Sequence, residues 1–373
     1  QMLSQAIPYA ENERQQSVIR KLIEFYETGN LAVFDAYTIL WVEETEGEVD
    51  FTNGFTEVYG DPLGLKASWE GYVNYTDHQA TRRAQALSRN AQWFEDHSPV
   101  DARFKKPLCR GVSAKVINAA ILGGDLYPSS AIGINLPNSN WVRAEHGSKS
   151  VTIANLTHAY DEAARGNGFR NEFADSAQTV SLMDRCGSVC DDLHPGLHEC
   201  LGHGSGRLLP GVDPDALKAY GSTIEEARAD LFGLYYLADE KLVELGLTPC
   251  QEAYKAQYYS YMMNGLLTQM VRIQPGHQIE EAHMRNRALI ARWTLEHYPQ
   301  AVRLSEQDGK HYVEILDYPL LRTAFGTLLA EIQRIKSEGD LQAARQMVER
   351  YGVQIDAKLH QEVLERYSKL NLA

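Results

Sequence analysis

The spacing of apolar positions changes character near residue 155. Beyond it, apolar residues recur at the three- and four-residue intervals of a helix face. That spacing predicts helices over Glu252 to Ile273 and Ile279 to Tyr298, with Pro275-Gly276 between them. It predicts three more over Tyr318 to Lys336, Leu341 to Tyr351 and Ala357 to Leu370. Before residue 155 the pattern is mixed. A helix is expected over Arg14 to Tyr26, ending before Gly29. Tyr37 to Val42 and Glu48 to Phe51 read as strands around an acidic turn. Gly54 to Gly64 is rich in turn signals. A long polar helix is expected from about 76 to 97, with Ala80, Ala84 and Leu87 on one side. Residues 112 to 122 are small and apolar, and Ser150 to Ile153 reads as a short strand. The fold class is therefore mainly α with a minor β part.

One helix breaks the amphipathic rule. Leu231 to Ala238 is apolar on nearly every face, so this helix is buried. Its first turns nevertheless carry four charges, Glu225, Glu226, Arg228 and Asp230. Ser222 and Glu225 have the spacing of a capping box at its start. Glu226 and Asp230 are four apart and share a face. One can coordinate a metal while the other accepts the free ring N–H of a metal-bound histidine. Carboxylates are also favoured at a helix N-terminus without any metal, so a second feature has to decide.

That feature is His198-Glu199-Cys200-Leu201-Gly202-His203. The familiar zinc-peptidase signature spaces its histidines four apart on one helix face. Here they are five apart, about 140° around an α-helix at roughly 100° per residue. A π-bulge winds more loosely, near 80° per residue, and returns the rings to within about 50°. Gly202 stands where the bulge is needed and tolerates the change. Leu193, Leu197, Leu201 and Leu208 surround the motif, which argues for a partly buried setting. A surface helix carrying two histidines by chance would not need them.

Composition narrows the class further. The 373 residues suggest about two domains. Lys+Arg 36 against Asp+Glu 50 gives a net charge of −14, which disfavours nucleic acid and anionic membranes as partners. The 20 tyrosines suit a peptide cleft, although packing explains most tyrosines equally well. The five cysteines, 109, 186, 190, 200 and 250, have no framework spacing. Cys186 and Cys190 resemble half a zinc site, but no second cysteine pair completes it. No run of 18 apolar residues occurs, so no transmembrane helix is expected. No signal peptide opens the chain, and a cytoplasmic location is expected. The chain begins with Gln1 rather than Met, which suggests a fragment or a processed product.

The two motifs together, His198-Glu-Cys-Leu-Gly-His203 and Glu225-Glu-Ala-Arg-Ala-Asp230, resemble the paired signature of the dipeptidyl peptidase III family of zinc exopeptidases. The resemblance implies one zinc per chain, held by His198, His203 and Glu226. It implies that Glu199 activates the water and that Glu225 and Asp230 support the ligands. The stretch Glu57-Val-Tyr59-Gly-Asp-Pro-Leu-Gly64 resembles the family's E-x-Y-x-D-P-x-G segment, whose tyrosine polarises the scissile carbonyl. That points to Tyr59. Acids in the same region bind the substrate's amino terminus, which points to Glu57 and Glu70. Gly133-Ile-Asn135-Leu-Pro-Asn138 resembles a segment whose asparagines hold the substrate backbone. One amide offers both a donor and an acceptor to an extended peptide. Ala282-His283-Met284 resembles a segment whose histidine assists transition-state stabilisation.

The resemblance implies a helical zinc-binding catalytic lobe and remnants of a β-barrel lobe. In this chain it implies 1–75 as a partial β-containing lobe and 76–120 as helices of the catalytic lobe. It further implies 121–159 as a return to the β-containing lobe and 160–373 as the helical zinc lobe. Full-length members are considerably longer, so the missing remainder of the protein's own chain is an expected partner. The activity implied is release of dipeptides from the free amino terminus of short peptides. A zinc aminopeptidase, a zinc endopeptidase and a non-catalytic zinc-containing binding domain stay open as alternatives. Because substrate positioning falls to the incomplete lobe, this chain is expected to bind zinc and to cleave dipeptides weakly or not at all.

Overall fold

The computed structural model describes residues 1–57, 68–109, 114–127, 133–137, 139–147, 149–164, 166–248 and 250–370. The chain divides into two compact units, 1–84 with 113–157, and 85–112 with 158–373.

The first unit opens with α1 (Met2–Ala6), α2 (Glu13–Thr28) and α3 (Leu31–Glu43). Asn12 caps α2 by accepting from the Gln15 N–H, and left-handed Gly29 ends it. The expected strand at Tyr37 to Val42 is thus corrected to helix. Its aromatic and β-branched residues favour a strand, but the buried positions are Tyr37, Thr38, Trp41 and Val42, which form a helical face. Tertiary packing against α2 overrides local propensity there. Strands β1 (Val49–Glu57) and β2 (Ser68–Thr76) follow, longer than the sequence suggests. The stretch expected as one helix from 76 to 97 is α4 (His78–Arg89) and α5 (Ala91–His97), broken at Asn90. Residues 114 to 120, expected among the helices of the catalytic lobe, belong instead to a strand, β3 (Ala114–Gly124). Then come β4 (Gly133–Leu136), α6 (Asn140–His146), β5 (Lys149–Ile153) and α7 (Ala154–Ala164). The sheet runs β1-β2-β3-β5-β4, antiparallel except for the β3–β5 pair. Leu22, Tyr37, Trp41, Tyr72, Ile117 and Ile153 form its core.

The second unit, which takes in α5 and most of α7, is helical apart from one hairpin. It continues with α8 (Phe169–Phe173) and α9 (Ala177–Leu197). A π-turn, His198–Gly202, continues directly from α9. Next are α10 (Gly221–Leu237), α11 (Glu240–Glu244), α12 (Tyr254–Leu266) and α13 (Ala282–His297). The single helix expected over Glu252 to Ile273 is α12 followed by a 3₁₀ turn, Thr268–Arg272. The hairpin of β6 (Val302–Gln307) and β7 (Lys310–Ile315) precedes α14 (Tyr318–Glu338), α15 (Leu341–Val348) and α16 (Ala357–Ser368).

Helix α10 is the centre of this unit. Ile224, Ala227, Ala229, Leu231 and Leu234 are all fully buried. The helix packs against α9, α13, α14 and the π-turn. Burying each leucine or isoleucine contributes roughly 1.5–3 kcal/mol, which holds the charged first turns in place. The expected capping box is not formed. The helix starts at Gly221, one residue before Ser222, and Tyr220 provides no side-chain cap.

Candidate metal centre

The π-turn sets the two motif histidines. The His203 N–H donates to the His198 carbonyl at 3.0 Å, a bond that spans five residues. This is the local widening that the five-residue spacing requires. Pro195, inside α9, has no N–H to give, so the ladder is already interrupted one turn earlier. Gly202 lets the turn touch α10. A Cβ there would lie 2.8 Å from the Ala229 Cα and 2.9 Å from its carbonyl oxygen. The two imidazoles stand edge to face, with centroids 4.6 Å apart.

Three imidazoles converge on one carboxylate oxygen. His198 Nε2 lies 3.2 Å from Glu226 Oε2, His283 Nε2 3.5 Å and His203 Nε2 3.9 Å. Each ring is held from behind by another carboxylate. Asp230 Oδ1 takes the His198 Nδ1–H at 2.8 Å, and Glu225 Oε1 takes that of His203 at 2.7 Å. Glu281 Oε1 meets His283 Nδ1 at 2.6 Å. With Nδ1 donating, Nε2 of each neutral ring keeps its lone pair for another partner. Glu226 Oε2 is buried and has no hydrogen-bond partner among the described residues. Glu199 joins the cluster, its carboxylate and the two motif rings offering ligand atoms within 4.8 Å of one another. Two or three imidazoles with a carboxylate form a donor set for a divalent transition metal. A buried oxygen without a hydrogen bond calls for a cation, so the residues present fit a metal.

Without a cation in the cluster the carboxylates favour a charged His198 ring, whose Nε2 proton a bound metal would displace. Burial alone would depress the His198 imidazole, but Asp230 and Glu226 outweigh it and hold its pKa up at about 10. Burial alone would raise Glu226, and His198, His283 and His203 together hold it below its ordinary value. Asp230 is held well below the carboxylate range, because His198, His194 and Arg287 outweigh its burial. Glu225 is likewise held low against burial by Arg228, His203 and Lys336. Arg228, 1% exposed, binds Glu225 through Nε at 2.9 Å and Nη2 at 2.7 Å and also donates to Ser205. Lys336 of α14 pairs with the other Glu225 oxygen. A cavity of ≈390 Å³ adjoins Glu225, Glu226 and Lys336 and is bordered by Asp215, Leu217 and Gly221.

Of the residues singled out from sequence, His198, Glu199, His203, Glu225, Glu226, Asp230 and His283 come together here. Glu70 lies in the first unit, on β2, where it is 7% exposed and accepts from the Thr56 hydroxyl at 3.0 Å. Glu57 ends β1 and Asn135 sits in β4, but their side chains lie outside the described residues, as do Tyr59 and Asn138. Sequence reasoning missed Glu281, Arg228's burial, Lys336 and Tyr261. Glu281 had a signal, since it precedes His283 by two residues and caps α13 by accepting from the His283 and Met284 N–H groups.

The profile of peptidase family M49 matches residues 1–220 and 214–367. The chain belongs to peptidase family M49. Among M49 relatives, dipeptidyl peptidase 3 of Dictyostelium discoideum is 28% identical over 298 residues, covering 70% of this chain and 41% of that protein. The Homo sapiens dipeptidyl peptidase 3 is 24% identical over 399 residues, covering 96% of this chain and 53% of that protein. The chain thus spans about half the length of these relatives. The structure of DPP III from Caldithrix abyssi superposes with a TM-score of 0.83 at 21% identity, covering 99% of this chain and 68% of that one. The chain therefore has the DPP III fold, mainly α with a smaller β part.

Proposed function

We propose that this chain carries the metal centre of a zinc dipeptidyl peptidase, which removes dipeptides from the free amino terminus of short peptides. The observation that carries the reading is the convergence of three Nε2 atoms on the unpartnered Glu226 Oε2. Membership of the M49 family supports a peptidase, and zinc is the metal that best suits a mixed imidazole and carboxylate set here. His198, His203 and Glu226 would hold it. Bound there, zinc supplies a positive charge that acidifies water and polarises a peptide carbonyl.

The chain's own residues do the rest. Glu199 is partly exposed and offers a carboxylate beside the ligand rings, placed to take a proton from water and return it to the leaving amine. His283 is half exposed, and Glu281 fixes its ring so that Nε2 faces the cluster. With a second proton on Nε2, it can donate to the oxyanion that develops at the scissile carbonyl, a role that Tyr59 would share. Glu57 and Glu70 would pair with the substrate's amino terminus, and Asn135 and Asn138 with its backbone.

The test is a digest of free-amino-terminus peptides, read by mass spectrometry, with and without a chelator. Dipeptides should appear from a full-length version, and weakly or not at all from this chain alone, and chelation should stop them. Release of single residues, or turnover indifferent to the chelator, contradicts the proposal.

A further inference from the structure

The three carboxylates behind the ligand rings are not equally supported. Glu225 is fixed by Arg228 and Lys336, both charged. Glu281 is fixed by two backbone N–H groups at the start of its own helix. Asp230 is buried, and both its oxygens are committed. Oδ1 takes the His198 Nδ1–H at 2.8 Å, and Oδ2 takes the Tyr261 hydroxyl at 2.7 Å. The Tyr261 oxygen lies 3.1 Å from the Asn286 side-chain amide. Asn286 is fully buried.

The proton count fixes the direction of this chain of bonds. A phenol has one proton, and the ionised Asp230 can only accept. The Tyr261 hydroxyl therefore donates to Asp230 and must itself accept from Asn286. With the amide oxygen facing Tyr261, two acceptors would oppose each other and the Asn286 Nδ2 would be left buried without a partner. Turning the amide end for end makes Nδ2 the donor to Tyr261 and removes the stranded N–H. The order is then Asn286 to Tyr261 to Asp230, with His198 donating from the opposite side.

His194 closes the other flank of Asp230. Its Nε2 lies 3.2 Å from the Asp230 carbonyl oxygen, and its Nδ1 is 3.2 Å from the Gln257 amide nitrogen. Gln257 donates to Nδ1, so Nε2 carries the proton that goes to the carbonyl. The Tyr261 ring packs edge-on against this imidazole, with centroids 5.7 Å apart. The participants come from four helices, α9, α10, α12 and α13. Asn286 stands one turn after His283 on α13.

We infer that Tyr261 and Asn286 are positioning residues, which hold the Asp230 carboxylate so that the His198 Nε2 lone pair faces the metal site and which tie that ligand to the helix carrying His283. The inference rests on the metal reading above. It concerns a hydroxyl and an amide that touch neither substrate nor metal.

Zinc affinity is the direct readout. It should be measured by competition with a coloured chelator on the parent, Tyr261→Phe, Asn286→Ala and the double variant, alongside the visible spectrum with cobalt(II). Losing a group that orients a ligand typically weakens metal binding about 10- to 100-fold. Tyr261→Phe should sit near the lower end, about tenfold, with a changed cobalt spectrum and helical circular dichroism retained. Asn286→Ala should lose less. The double variant should be no worse than Tyr261→Phe alone, because Asn286 acts through that hydroxyl. A merely structural role would lower thermal stability without moving affinity or the cobalt spectrum. Should Tyr261→Phe fail to fold, Asn286→Ala decides alone by a loss of affinity or its absence. Parental affinity in the variants, or additive losses in the double variant, overturns the positioning claim and leaves the metal reading standing. A parent that takes up no zinc removes both.

Discussion

The helical unit and the sheet unit treat their buried polar groups differently. In the helical unit the three imidazoles facing Glu226 each rest on a carboxylate, and two of those carboxylates rest on further side chains. At the point where the rings meet lies a buried oxygen, Glu226 Oε2, without a hydrogen-bond partner among the described residues. In the sheet unit Asn74 is 1% exposed on β2, and neither end of its amide has a hydrogen-bond partner among the described residues. A polar group that lacks a partner thus carries meaning only when its neighbours are aimed at it. At Glu226 they are, and at Asn74 the same deficit reads as strain within a sheet.

The largest effect that separates the two units is on turnover. Glu199→Gln should keep zinc and lower the rate about 10²–10⁴-fold, as for other positioned acid–base groups. A rate equal to the parent's, measured in a full-length version on a dipeptidyl-arylamide, would show that Glu199 is not the base. Next in size is Glu225→Ala. It strands Arg228, which is 1% exposed, and frees the His203 ring. A stranded buried charge costs about 3 kcal/mol, and zinc affinity should fall about 10-fold or more. Chemical denaturation and chelator competition measure the two separately. If stability falls and affinity does not, Glu225 serves the fold alone.

The opposite sign is expected in the sheet unit. Asn74→Leu removes an amide that burial has left unpaired. Stability should stay level or rise by about 1 kcal/mol, and zinc affinity should not change. A loss of several kcal/mol would mean that the amide is satisfied after all.

The smallest effect concerns acid sensitivity where the helical unit is purely structural. Glu172 joins Arg366, which is 2% exposed, and Lys310 on β7. Burial pushes Glu172 up, but these two cations outweigh it and hold it below its ordinary value. A depressed carboxylate stabilises the fold at pH above its unfolded pKa, about 4.3. That contribution is lost as pH falls through the lower, folded value. Glu172→Gln should therefore lose stability at neutral pH and show a shallower decline below about pH 4. An unchanged slope in a denaturation series from pH 3 to 7 would remove Glu172 from acid unfolding.

How much was legible in sequence follows the same division. The metal cluster is written in local spacing. Five residues with a glycine at the right place foretold the π-turn, and Glu226 and Asp230 share a face because they are four apart. Residues whose role depends on distant partners were not legible. Tyr261, Asn286 and Lys336 reach the site from helices 25 to 111 positions away in sequence from the groups they touch. The capping-box reading failed because Glu225 is engaged by His203, Arg228 and Lys336 instead. Tyr37 to Val42 failed because strand-forming residues can also pack one face of a helix. The β6–β7 hairpin did have a signal. Asp308 and Gly309 between the strands both have positive φ, as the turn preferred by Asp-Gly requires.

The central claim is that His198, His203 and Glu226 form one metal site within the helical unit. The most direct measurement is zinc per chain, by elemental analysis after dialysis, on the parent and on Glu226→Ala, with helical content checked on both. The expected result is one zinc per parent chain and little or none in the variant, with the helices retained. Stoichiometric zinc in Glu226→Ala, or none in a folded parent, would contradict the account.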